Sequence, residues 1–193
     1  MEVFNMTSKS PSGFHYFVHD GMHRDEKLQA GVIHELLNSD LVQEERESSV
    51  QWELKHSSGV IQLARLLAQK RGVDEELAVV AAALHDIHVI VHGTYKDHAV
   101  LGGRIARKIL ENSGDFSSAE INRIVRAVEN HSDKHVYSED KLSELIKDAD
   151  VLDVCLYGDR LYDYKSERLR VHYMRRIGAV RAELGLPGKE KLS

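Results

Sequence analysis

Residues 74–87 read DEELAVVAAALHDI, and the fold turns on them. From Leu77 to Leu84 no residue is polar. A helix here has no face to give to solvent and belongs at the buried centre of a domain. A β-strand is the rival reading of Val79 to Leu84, but three successive alanines favour helix. Asp74 is placed to cap the helix, and Glu75 and Glu76 complement its first turn. The segment ends on two polar side chains, His85 and Asp86, at what should be the most buried point of the chain.

Working outward, the same helical period recurs. Upstream, Val60, Leu63, Ala64 and Leu67 share a face of a helix over about 50–70, which Gly72 ends. Before it, Leu28, Val32 and Leu36 form the stripe of a helix over 24–38. Downstream, residues 88–96 read as a loop around Gly93, followed by a helix over 97–112. Ser117 and Glu120 make a capping box for a helix carrying Ile121, Ile124, Val125 and Val128. Ser138 is read as the cap of a helix running through Leu142, Leu145, Ile146 and Leu152, and a last helix spans 166–184. No stretch alternates apolar and polar residues long enough to make a strand. The expectation is an all-α fold of six to eight helices. Residues 24–193 form one domain with its motif-bearing core at about 50–160, and residues 1–23 form an irregular arm rich in aromatics (Phe14, Tyr16, Phe17).

Composition narrows the function. The chain has 193 residues, of which 42% are apolar, enough for a real core. Charged residues make up 30%, and no apolar run approaches the ~18 residues of a membrane span. A net charge of −5 excludes a strongly basic nucleic-acid footprint over the whole chain. The charge is uneven: residues 151–193 hold nine basic and six acidic groups, so this end is +3 and the rest −8. The single cysteine, Cys155, rules out an internal disulfide, fits a reducing, cytoplasmic compartment and reads as a small buried residue. The first residues do not read as a secretory signal. The amphipathic helices at 24–38 and 166–184 can pack on the core or on a second copy, so a homodimer stays open.

Twelve histidines require an explanation. His56 lies four residues before Val60, on the core stripe; His98 precedes Leu101 by three; His131 follows Val128 by three; Asp150 follows Ile146 by four. With His85 and Asp86, six inward groups come from five helices. A single inward histidine is usually a hydrogen-bonded core residue. Several buried carboxylates and imidazoles together are satisfied at once by a divalent cation. Nitrogen and oxygen donors without thiolate suit Mn, Fe, Co, Ni, Mg or Zn.

These residues also resemble a known signature. His56, the pair His85-Asp86 within AAALHDI, and Asp150 within IKDADVLD resemble the ligand set of the HD-domain superfamily, metal-dependent phosphohydrolases with a helical core. HAVLGGRIARKIL (98–110) and AVENHSD (127–133) resemble flanking segments of that superfamily. The resemblance covers about residues 50–160. It implies that His56, His85, Asp86 and Asp150 hold one metal ion. It also implies that His98 and His131 hold a second, with Asp86 bridging, or else bind substrate or relay protons beside a single ion. His19-Asp20 is the same dipeptide with no buried helix before it, and is read as a decoy. Asp153 should lie behind the ligands, Asp148 on the solvated surface, and His135 near the mouth. Many relatives carry a phosphate-contacting lysine soon after the HD pair. Here the run is HDIHVIVHGTYK, with His88 and His92 in its place and Lys96 late. The Gly-Tyr-Pro motif of the cyclic-dinucleotide phosphodiesterases is absent. The stretch after His56, SSGVIQLAR, lacks the arginine that the resemblance leads one to expect one turn on.

The chemistry these residues imply is phosphate-ester hydrolysis. A bound ion lowers the pKa of its water from about 15.7 toward 7, giving hydroxide for attack, and neutralises a phosphoryl oxygen. Asp86 and His131 are the catalytic candidates. His131, His88, His92 and Lys96 are alternatives for the proton to the leaving oxygen. Lys96, Arg104, His88 and His92 are candidates for substrate binding, with Arg160, Arg168, Arg170, Arg175 and Arg176 as further anion contacts. The expected substrate is a small phosphorylated metabolite, a nucleotide by preference. Two other readings stand beside it: a di-iron oxygenase built on the same ligands, and a non-catalytic metal- or nucleotide-binding sensor.

Overall fold

The structure, a computed structural model, describes residues 23–158 and 166–188. The aromatic arm, with His19-Asp20, lies outside the described residues except for His23, and so does Arg160. Eight α-helices occur among the described residues, in the order α1 (Arg24–Leu37), α2 (Val50–Arg71), α3 (Glu75–Leu84), α4 (Ile87–His92), α5 (His98–Ser113), α6 (Ser118–Asn130), α7 (Lys141–Leu156) and α8 (Glu167–Glu183). A short 3-10 turn, Gln43–Glu45, joins α1 to α2. No described segment is a strand, and no described helix is long and apolar enough to cross a membrane.

Helix α3 is the axle. Every residue from Leu77 to Leu84 is buried, and α1, α2, α6 and α7 pack around it. Its alanines let these neighbours approach closely, while Leu77 and Leu84 fill the ends. The caps follow the sequence: Asp74 accepts from Leu77 N at 3.0 Å, and Ser117 and Glu120 bond reciprocally. Both outer helices pack on the core, α1 through Leu28, Val32 and Leu36, α8 through Tyr173, Ile177 and Val180. Cys155 is buried beside Tyr173 and Ile177.

Two details differ from the sequence reading. Residues 88–96 are not a loop throughout: the chain breaks at His85-Asp86 and re-enters a helix, α4, which Gly93 ends with φ 72°. The apolar residues Ile87, Val89 and Ile90 continue the buried surface and hold this extra turn. The cap of α7 is Asp140, accepting from Leu142 N at 3.2 Å, while Ser138 bonds Glu144 instead. The helix begins at Lys141, so Asp140, directly before it, is the residue whose side chain reaches the free N–H groups of the first turn.

Candidate metal centre

The break between α3 and α4 turns His85 and Asp86 into the interior, 1% and 6% exposed. His56 enters from α2, Asp150 from α7, His98 from the first turn of α5 and His131 from the end of α6. The six groups expected to point inward therefore meet.

Each imidazole is fixed from behind. Nδ1 of His56 lies 2.7 Å from Asp153 Oδ2. Nδ1 of His85, His131 and His98 donates to the carbonyls of Ala82 (2.7 Å), Val128 (2.7 Å) and Tyr95 (2.8 Å). With the proton on Nδ1, the lone pair is on Nε2. The Nε2 atoms of His56 and His85 then face each other at 3.2 Å, and those of His98 and His131 at 3.1 Å. Facing lone pairs repel unless a proton or a metal cation lies between them. Asp86 serves both pairs: Oδ2 is 3.7 and 3.3 Å from His56 and His85, and Oδ1 is 3.4 and 3.3 Å from His98 and His131. Oδ1 is buried without a hydrogen bond. Asp150 Oδ1 lies 3.5 Å from His56 Nε2. His56, His85 and Asp86 form one group that could hold an ion; Asp86, His98 and His131 form another. The donor set fits divalent metal ions, with imidazole nitrogen and carboxylate oxygen on each side.

The electrostatics show how strongly the centre draws positive charge. Burial alone would lower His85, but Asp86 beside it outweighs burial and pushes it up to about 9. Burial dominates at His131 and pushes it down to about 4. Burial would raise the Asp86 carboxyl, yet His85 and His131 hold it well below the usual range.

A cavity of about 600 Å³ opens onto these ligands. Its wall includes Ser48, Trp52, Tyr95, Ser132, Lys134 and Tyr173. Trp52 stacks flat on His56, with ring centroids 5.4 Å apart, and meets the edge of Tyr157 at 5.3 Å. Tyr95 donates to Glu53 Oε1 at 2.8 Å.

The proposed substrate contacts are placed differently. His88 is buried against Thr94 O and the ring of His92, away from the cavity lining. His92, Lys96 and Arg104 are exposed and outside that lining. Arg168, Arg170 and Arg175 are exposed on α8, and His135 packs near His172 rather than lining the cavity. Asp153 lies behind His56, as expected. Asp148 is not solvated: it is 9% exposed, gripped by Arg71 at 2.8 Å and Arg176 at 3.0 Å. Its register places it toward α8, a face the α7 pattern alone could not assign.

Sequence reasoning missed Lys134, Tyr95, Trp52 and Tyr173 as parts of the site. Helical spacing offered one usable signal: Trp52 lies four residues before His56, on the same face.

The HD domain profile matches residues 54–155. Ribonuclease Y of Lawsonia intracellularis is 32% identical over 133 residues, covering 68% of this chain and 24% of that protein. An uncharacterized protein of Clostridium beijerinckii is 30% identical over 122 residues, covering 58% of this chain and 77% of that protein. The crystal structure of a predicted HD superfamily hydrolase from an uncultured Thermotogales bacterium superposes with a TM-score of 0.52 at 22% identity, covering 82% of this chain and 88% of that one. That last likeness is one of fold. The matches span between 12% and 28% of the length of the ribonuclease Y proteins.

Proposed function

From the premise that this chain belongs to the HD-domain family, we propose that it is a metal-dependent phosphohydrolase that cleaves a phosphate ester of a small phosphorylated metabolite, a nucleotide by preference. The observation that carries this reading is the pairing of imidazole Nε2 atoms on either side of Asp86, one carboxylate oxygen to each pair.

His56, His85, Asp86 and Asp150 would hold the first ion, and His98 and His131, with Asp86 shared, the second. When bound, a divalent ion supplies a Lewis acid that polarises a phosphoryl oxygen and acidifies water near neutral pH. Asp153 and the carbonyls of Ala82, Tyr95 and Val128 keep the four imidazoles in the ligating tautomer. Burial keeps His131 neutral at pH 7, which favours ligation over proton donation. Trp52 covers His56, and Tyr173 borders the same cavity, so a planar base has aromatic surface beside it. His88, His92, Lys96 and Arg104 can act on substrate only from outside the lining. The lone buried cysteine suits a cytoplasmic setting.

The ribonuclease Y relatives raise RNA as a substrate. Among the described lining residues Lys134 is the one lysine or arginine, whereas a polyanion needs a basic track. A small ester is therefore the better fit.

The test is to strip the protein with chelator, reload it separately with Mn, Co, Ni, Mg, Fe or Zn, and screen phosphorylated compounds. Asp86→Ala should lose metal uptake and turnover together; full turnover in that variant overturns the assignment. Two irons with a mixed-valent paramagnetic signal would point to an oxygenase. Metal and nucleotide binding without turnover would point to a sensor.

A further inference from the structure

A phosphoryl group held at metal ions still carries oxygens that a positive side chain beside the ions can receive. Lys134 meets that description, and it comes from an unexpected place: the turn between α6 and α7, not the stretch after His85-Asp86. It lines the cavity yet is only 2% exposed. Its ammonium donates to His131 O and to Asp150 Oδ2. That leaves Asp150 Oδ1 turned toward His56, so the lysine pins the carboxylate without taking the oxygen that faces the ligands. An ammonium has three protons, and these two bonds use two.

The turn is held by two buried cations: Lys147 donates to Val136 O at 2.8 Å, and a guanidinium reaches both that carbonyl and the one at Lys134. Arg176, on α8, donates from Nε to Lys134 O at 2.6 Å and from Nη2 to Val136 O at 3.0 Å. Its Nη1 meets Asp148 Oδ1 at 3.0 Å and Glu144 Oε2 at 2.7 Å, and its plane lies over Tyr137. Two carboxylates of α7 would satisfy a charge that merely joined α7 to α8. The two carbonyl bonds do something else: they fix the backbone at Lys134 and two residues beyond it. Helix α8 lies outside the residues matched by the HD domain profile.

We propose that Lys134 is a substrate-binding residue that receives a non-bridging oxygen of the phosphoryl group through its third proton, and that Arg176 is the positioning residue that holds it there. The inference rests on the phosphohydrolase reading above. It makes the site's ligand a tetrahedral oxyanion, with inorganic phosphate as the simplest form.

Calorimetric titration of inorganic phosphate into the Mn-loaded full chain tests it, with Mn affinity and melting temperature measured separately. Lys134→Met should lower phosphate affinity by about tenfold or more, the loss expected for a charge-assisted hydrogen bond, while Mn affinity holds or rises. Lys134→Gln keeps a hydrogen-bonding group without the charge. It should behave the same way, and it provides the reading should the methionine variant fail to fold. Arg176→Lys keeps a charge for the two carboxylates but cannot reach both carbonyls. It should weaken phosphate binding by about threefold and raise KM more than it lowers kcat. Unchanged phosphate affinity in the Lys134 variants overturns the proposal and leaves the phosphohydrolase reading standing. Equal loss of Mn and phosphate makes Lys134 only a prop for Asp150, and also overturns it. A parent chain that binds Mn but neither binds phosphate nor cleaves any ester brings down both.

Discussion

Between pH 6.5 and 9, His85 carries the pH dependence of the imidazoles in the centre. Its ordinary value is 6.5 and its folded value about 9, because Asp86 outweighs the effect of burial. A group raised by folding contributes stability that is full below 6.5 and is lost as the pH climbs through 9. Ligation has the opposite sign, since the metal takes the neutral imidazole and the proton must leave. Between pH 6.5 and 9 the melting temperature of the stripped protein should fall while Mn affinity rises, by up to about tenfold per pH unit. Metal affinity that is flat across this window would mean that His85 is already neutral.

At the scale of elements, the centre depends on how closely α2 and α7 approach. A Cβ on Gly59 would sit 1.8 Å from Asp153 Oδ1, so the Asp153 carboxyl can lie where it does only because residue 59 has no side chain. Asp153 in turn orients His56. Gly59→Ala should therefore cost about 1–3 kcal/mol by overpacking and weaken metal binding as His56 loses its partner. Denaturant unfolding and a Mn titration of this variant check both effects; parental values in both would show that Asp153 can step aside at no cost. Asp97 shows a related device at the entry to α5. It has φ 53°, a left-handed conformation that aspartate tolerates, and it turns the chain immediately before His98.

For the whole molecule, the ion would tie together helices that are distant in sequence. His56, His85, His98, His131 and Asp150 come from the α2, α3, α5, α6 and α7 regions, so a bound ion favours the folded arrangement over any open one. At a free metal concentration about 100 times Kd, mass action adds about 2.7 kcal/mol. For a chain of this size that raises the melting temperature by roughly 5–10 °C. Scanning calorimetry with and without Mn measures the shift; no shift at saturating Mn would mean the groups do not close on an ion. The network of Arg71, Asp148, Glu183 and Arg176 acts at the same scale by tying α8 to α2 and α7.

The sequence alone determined the helical class, the burial of α3 and the inward set of His56, His85, Asp86, His98, His131 and Asp150. The reason is that helical period assigns each residue to a face, and a polar residue on an apolar face is conspicuous. Tertiary structure decided everything that depends on which faces meet. It turned His85-Asp86 into a break followed by α4, buried Asp148 between two arginines, left Lys96 and Arg104 outside the cavity and brought Lys134 into it from a turn. A turn has no period, so a lysine there carries no mark of its direction. Its direction comes from contacts made only in the fold: its own bonds to His131 O and Asp150, and the hold of Arg176 on its carbonyl.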